Sequence, residues 1–133
     1  MAFYRVENQW GGPTAPWHDG GTWQMGDRPQ QHLSFINMKA SPDNQNVLQG
    51  ELAYGGEEKV ICRAEQVGIG NNQWEVQVQV NGTWQNEGMW TMGCRSPQIV
   101  DAIDVSGGPD SLLGTMTYTK EGPIGFRGTV VTI

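Results

Sequence analysis

The chain has 133 residues, with eight Lys and Arg against fourteen Asp and Glu, and its net charge at pH 7 is −6. This length suits a single domain spanning residues 1–133. The negative charge disfavours nucleic acid and anionic membranes as partners, and no apolar run of about eighteen residues is present to span a bilayer. The N-terminus lacks the basic-then-apolar order of a signal peptide, so a cytoplasmic protein, or one released without a visible signal, is expected.

The first half is predicted to form short strands separated by loops rich in Gly, Asn, Asp and Pro. Residues 8–17 are predicted to form a loop in which Trp10 precedes two glycines. A strand is predicted near residues 36–38, where Ile and Met alternate with Asn, and residues 50–54 match residues 114–118 of the second half. Glu57 follows residues 50–54, in another predicted loop.

The second half has the same character. Residues 75–80 alternate polar and apolar side chains, as a half-buried strand does. A second alternating segment at 113–118 is followed by the loop Glu121–Arg127, which is rich in glycine. No window has a sustained helical period of 3.6, so about five strands are predicted in each half and almost no helix.

The two halves match as a tandem repeat, with repeat 1 at about residues 1–69 and repeat 2 at about residues 70–133. The matched pairs include Tyr4 with Trp74, Trp17 with Trp84, Trp23 with Trp90, Arg28 with Arg95, Glu57 with Glu121, and Arg63 with Arg127. A five-stranded sheet is not stable with its apolar face exposed to water, and two such sheets can bury these faces against each other. They are therefore expected to close on each other as one all-β barrel or sandwich of about ten strands.

Two loops contain residues that a strand pattern does not require. Trp10 beside Gly11 and Gly12 offers an indole face next to accessible backbone, and Glu121 before Gly122 offers a carboxylate next to a backbone N–H. With a neighbouring Arg, these groups can stack on a pyranose ring and bind its hydroxyls. The alternative for each loop is an ordinary turn, with the Trp folded onto the core and the Glu in solvent.

These loops also carry a family resemblance. Asn-Gln-Trp-Gly-Gly at residues 8–12, Ala-Pro-Trp at 15–17, a Gly-x-Arg turn and Glu-Gly-Pro-Ile-Gly-Phe-Arg at 121–127 resemble the Oscillatoria agardhii agglutinin family of bacterial lectins. The resemblance implies a ten-stranded antiparallel β-barrel made of two tandem five-stranded repeats. It further implies a monomer that binds the branched mannose core of high-mannose glycans, and glycoproteins carrying them, with no metal and no cofactor.

In this family each site is shared between the repeats. Carried over, the first site consists of Trp10, Gly11, Gly12, Arg95, Glu121 and Gly122, all of which fit the pattern. The second keeps Arg28 and Glu57, but Glu58 replaces a glycine, and Val80, Asn81 and Gly82 stand where Trp-Gly-Gly is expected, with three loop residues deleted. The sequence therefore predicts one intact site and one degenerate site.

Other chemistry finds less support. Cys62 and Cys94 are expected as free thiols, with a single bridge as the alternative, and His18 and His32 lack a third ligand at metal spacing. A glycoside hydrolase is the enzyme alternative, but it needs a second carboxylic acid about 5–10 Å from the first, one with a raised pKa. The second alternative is a β-barrel protein-interaction module whose exposed Trp residues mark an interface.

Overall fold

The computed structural model of the chain describes residues 2–26, 28, 31–67, 72–93, 99–108 and 110–131. Every regular element in these ranges is a strand. The ten strands are β1 (Phe3–Gln9), β2 (Trp17–Gln24), β3 (Leu33–Ser41), β4 (Asn44–Tyr54), β5 (Val60–Gln66), β6 (Gln73–Val80), β7 (Thr83–Thr91), β8 (Val100–Gly107), β9 (Ser111–Tyr118) and β10 (Pro123–Val130).

The strands form one closed antiparallel barrel in the order β1-β10-β9-β8-β3-β4-β5-β6-β7-β2. The prediction of an all-β barrel with ten strands is confirmed. Strands of the two repeats interlock, because β1 pairs with β10, β3 with β8 and β5 with β6. Neither repeat completes a sheet alone, so every strand has a partner on both sides and the barrel has no free edge.

Strand direction determines which loops can share a site. Since all neighbours in the ring are antiparallel, the odd-numbered strands run one way and the even-numbered strands run the other. The loop after β1 therefore lies at the same end as the loop after β9, and β7 also finishes toward this end. We call this end A. The loops after β2, β4 and β6 lie at the opposite end, which we call end B.

Large side chains fill the barrel. Among the fully buried ones, the largest are Trp23, Trp74, Trp90, Tyr4, Tyr54, Tyr118 and Phe126. Strand β6 shows why the alternation predicted the fold correctly, because Trp74, Val76 and Val78 point inward while the residues between them face outward. In contrast, Trp10 is 41% exposed at end A, as expected for a loop residue outside the core.

The contact between β2 and β7 is the shortest of the ring. Gln24 opposite Thr91 is the one residue pair that joins these strands among the described residues. The Gln24 side chain adds a hydrogen bond from Nε2 to the Met89 carbonyl at 3.1 Å. This seam between the repeats has fewer backbone hydrogen bonds than the other pairings, so side-chain contacts across it matter more for closure.

Candidate functional site

The loop between β1 and β2 is held in shape by its own hydrogen bonds. The Gln9 amide donates to the carbonyls of Pro13 at 3.1 Å and Ala15 at 2.7 Å, and the Ala15 N–H donates to the Gly12 carbonyl at 3.2 Å. Gly11 and Gly12 have φ values of 94° and 104°, which side-chain-bearing residues rarely adopt. The loop is therefore preformed, and a preformed loop loses little conformational entropy on binding.

Trp10 rests on His18, the second residue of β2. The two ring centroids lie 3.9 Å apart with an interplanar angle of 14°. The imidazole covers one face of the indole and leaves the rest of the ring exposed. Beside it, a side chain added at Gly12 would meet no atom within 4 Å, so the backbone there is open to approach. Sequence reasoning considered His18 only as a metal ligand and missed this support.

The Glu121–Gly122 loop lies at the same end as Trp10. Gln9 pairs with Gly125 across β1 and β10, which brings the start of β10 next to the end of β1. The Glu121 N–H donates to the Tyr118 carbonyl at 3.1 Å, and Gly122 is open, with no atom within 4 Å of an added side chain. The structure thus places five of the six predicted residues at end A. The sixth, Arg95, lies outside the described residues, as does Cys94.

Asn8 ties these two loops together from beneath. It is 3% exposed, the one buried polar residue among those described. Its Nδ2 donates to the Gly125 carbonyl at 3.3 Å and to the Met116 sulfur at 3.2 Å. Asn8 therefore fixes the start of β10 against the end of β1. The sequence pattern did not mark it, because its side chain points into the barrel from a strand that otherwise buries apolar groups.

Two further Trp residues form supports outside the core. The Arg127 guanidinium lies 4.2 Å from the Trp17 ring centroid, and that of Arg63 lies 4.0 Å from the Trp84 ring. Each Arg is held by a side chain of the neighbouring strand, Glu7 for Arg127 at 2.9 Å and Gln77 for Arg63 at 2.7 Å. The same arrangement in both repeats agrees with the predicted register and with a supporting role for these Trp residues.

End B holds an ion cluster around Arg28. Its Nη1 donates to Glu57 at 2.7 Å and its Nε donates to Glu87 at 3.2 Å, while the guanidinium lies 4.0 Å from the Tyr54 ring centroid. Gln31 donates a short hydrogen bond to Glu57. Burial would lower the pKa of Arg28, but the hydrogen bond to Glu57 and the charges of Glu87 and Glu57 outweigh burial and raise it. Glu87 was missed by sequence reasoning.

Hydrogen bonds from Arg28 and then Gln31 lower the pKa of Glu57 from its ordinary value of 4.5. The ion pair is therefore fully present above that value and is lost as pH falls below it, through the lowered pKa of the folded state. We expect Glu57→Gln to lower the thermal midpoint by a few degrees at most at pH 7, since the pair is exposed, and to have a smaller effect at pH 2. Melting curves at the two pH values check this, with Glu58→Gln as control; an equal effect at both would contradict it.

The loops of end B differ from those of end A in two ways. Seven residues separate β1 from β2, but only Asn81 and Gly82 separate β6 from β7. Their φ values of 51° and 78° form a tight hairpin turn, so the residue that matches Trp10 is Val80, whose exposed side chain is aliphatic and much smaller than an indole. The Glu57 N–H donates to the Tyr54 carbonyl at 3.0 Å, as Glu121 does to Tyr118. The exposed Glu58 then takes the place that Gly122 has at end A.

Neither a metal site nor a membrane-spanning helix is found in the described part of the chain. No group of three or more His, Cys, Asp or Glu there is placed to hold a metal ion. None of its elements is a helix long and apolar enough to cross a membrane. Cys62, in β5, is a buried free thiol, and burial and then the charge of Glu51 raise its pKa to about 12.

Comparison with known proteins identifies close relatives. A model of the OAA-family lectin sugar binding domain matches residues 2–67 and 72–131. Lectin OAA from Planktothrix agardhii is 46% identical over 98% of this chain and 100% of its own length. The Pseudomonas fluorescens agglutinin superposes with a TM-score of 0.88 at 42% identity, covering 97% of this chain and 99% of that one.

A second solved structure shows a relative with its ligand. The Myxococcus xanthus hemagglutinin in complex with α3,α6-mannopentaose superposes with a TM-score of 0.90 at 38% identity. The match covers 98% of this chain and 50% of that one. The chain thus spans the full length of Lectin OAA and about half the length of longer relatives such as this hemagglutinin.

Proposed function

The chain belongs to the OAA family of lectins, and from that premise we propose that it binds the branched mannose core of high-mannose glycans through one site, at end A. The observation that carries the proposal is the exposed indole of Trp10, supported by His18 and flanked by the open backbone of Gly12 and Gly122. The hemagglutinin solved with mannopentaose is a member of the same structural group.

Each group at end A has a role that a neutral sugar requires. The indole of Trp10 packs against the C–H face of a pyranose ring. Glu121 accepts hydrogen bonds from two hydroxyls, and the backbone N–H of Gly122 donates one to a ring or hydroxyl oxygen. Arg95 completes the proposed site as the counterpart of Arg28 in the repeat. None of these interactions changes a covalent bond, which suits binding and not hydrolysis.

We further propose that end B does not bind mannose. It lacks a Trp10 equivalent because β6 and β7 are joined by a two-residue turn, and it lacks a Gly122 equivalent because Glu58 occupies that position. The Arg28 guanidinium is already engaged by Glu57 and Glu87. The chain would then act with one site per barrel.

A glycan array on the pure protein tests the first proposal. We expect signals confined to high-mannose structures, abolished by free branched mannopentaose. Binding to glycoproteins that free sugar does not inhibit would indicate a protein interface instead and would overturn the proposal. Release of mannose from mannosides during the incubation would equally overturn it, since a lectin leaves its ligand unchanged.

Matched arginine variants test the assignment of the two ends. Arg28→Ala should leave the affinity for mannopentaose within about twofold of the wild type, because Arg28 lies at end B, which we propose does not bind mannose. Arg95→Ala should weaken it by about tenfold or more, since a hydrogen bond to a charged group contributes about 1.5–3 kcal/mol. Isothermal titration of both variants provides the comparison. Equal losses would show that the two ends have been assigned wrongly.

A further inference from the structure

Glu87 links the two repeats at end B. It lies in β7 of the second repeat, and its Oε1 is 3.2 Å from Nε of Arg28, which follows β2 of the first repeat. The Glu87 side chain is only 13% exposed, whereas that of Glu57, the other carboxylate on Arg28, is 46% exposed. Of the two carboxylates that bind Arg28, that of Glu87 is thus the more shielded from solvent.

The position of Glu87 in the repeat makes it unusual. Trp84 matches Trp17, and three residues further along each strand Glu87 matches Gly20. A side chain at Gly20 would meet Oδ1 of Asn8 at 2.8 Å and the Val6 carbonyl at 3.2 Å, so the buried Asn8 would have to shift to admit one. In the second repeat the residue matching Asn8 is Val78, which is buried. The second repeat thus has Val78 in place of the Asn8 amide and Glu87 in place of Gly20.

We propose that the Glu87 carboxylate occupies the Nε donor of Arg28 in place of a ligand and so keeps the second site, at end B, closed. We further propose that this Arg28–Glu87 ion pair, which we call the clasp, stabilises the barrel across the seam between β2 and β7. The inference rests on the proposed function insofar as end B corresponds to a sugar site. Arg28 donates through Nε to the largely shielded carboxylate of Glu87 and through Nη1 to the exposed carboxylate of Glu57. A sugar oxygen could reach the Nε donor only by displacing the Glu87 carboxylate, which is charged and largely shielded from solvent, whereas the sugar oxygen is neutral.

The clasp also compensates for weak pairing at the seam. Among the described residues only Gln24 and Thr91 pair between β2 and β7. The Arg28–Glu87 bridge adds a further link across this seam, close to the end of β2, beside the hydrogen bond from Gln24 to the Met89 carbonyl. Arg28, which matches Arg95 of the proposed sugar site in the repeat, thus has a structural role at end B.

The clasp predicts a measurable coupling. Glu87→Gln preserves size but removes the charge, and we expect it to lower the thermal midpoint by about 2–6 °C at low salt and by less at high salt. The Nε–H signal of Arg28 in a 1H–15N spectrum should lose its protection from exchange. In an Arg28→Met background the same substitution should have no effect. Glu58→Gln, on a neighbouring loop, is the control. An unchanged midpoint together with an unchanged Arg28 signal would overturn the clasp.

A loop graft tests the closed site directly. Residues 80–83 are replaced by the sequence of residues 10–16, and Glu58→Gly with Lys59→Pro restores the open loop, either with Glu87 retained or with Glu87→Gly. We expect titration with mannopentaose to give one sugar per chain when Glu87 is present and two when it is absent. Glu87→Gln is a second version in case the glycine variant does not fold. The same stoichiometry in both backgrounds, whether one or two, would overturn the inference.

The two proposals fail separately. If the wild-type protein binds no mannose, the proposed function is wrong, but the thermal and spectroscopic measurements on Glu87→Gln still decide whether the clasp exists. If the wild type binds one sugar and the Glu87 variants behave like it in every measurement, the function stands and only the clasp is lost.

Discussion

Replacing Trp10 with alanine should weaken binding of branched mannopentaose by about 30-fold or more, since truncating an aromatic hot-spot residue costs at least about 2 kcal/mol. The indole offers the largest exposed aromatic surface at end A, and His18 holds it in place at 3.9 Å before any ligand arrives. Its removal takes away both the stacking surface and the benefit of that preorganisation. Isothermal titration of the variant measures the loss.

Trp84→Ala is the matched control for this substitution. It removes the same side chain from a half-buried position under Arg63, on the strand that leads away from end B. It should reduce the thermal midpoint but leave the affinity nearly unchanged. If both variants lost affinity equally at a temperature where both remain folded, the indole of Trp10 would not be the stacking surface, and the site would have to lie elsewhere on the barrel.

The strands could be predicted from the sequence because the alternation of polar and apolar residues is local and occurs in both repeats. Alternation over residues 75–80 predicts which side of β6 faces the core, and the structure buries Trp74, Val76 and Val78 as expected. The duplication doubles each such signal. The order of strands was not accessible from the residues themselves, since the pairing of β3 with β8 or β2 with β7 joins distant segments that carry no local mark. The family resemblance supplied the choice of a barrel.

Only part of the site could be predicted from the sequence, and the residues that were missed share one feature. Trp10 and Glu121 stand in glycine-rich loops, where an aromatic or charged residue is conspicuous. His18, Asn8 and Glu87 lie within strands, where their importance depends on what the neighbouring strand places opposite them. For Glu87 a signal did exist, because the repeat sets it against Gly20. A charged residue that matches a glycine in the other repeat indicates a changed site, as the loss of the Trp at position 80 does.

The valency of the barrel follows from where its two ends lie. Because loops after odd and even strands project from opposite ends, two working sites would face away from each other and join two glycan-bearing surfaces. A molecule with one working site would bind to one glycan-bearing surface but would not join it to another. The difference is large, since a second linked contact raises overall avidity by about 10²–10⁴.

We therefore expect titration of the wild type with branched mannopentaose to give a stoichiometry near one, and cells bearing high-mannose glycans to remain dispersed when the protein is a monomer. Two copies fused through a flexible linker should restore clumping, and a fusion in which one copy carries Trp10→Ala should not. This control separates valency from affinity, because both fusions contain an intact end A. A stoichiometry near two for the wild type would contradict the prediction. It would mean that Val80, Asn81 and Gly82, together with Glu57 and Glu58, form a second pocket with its own way of holding the sugar.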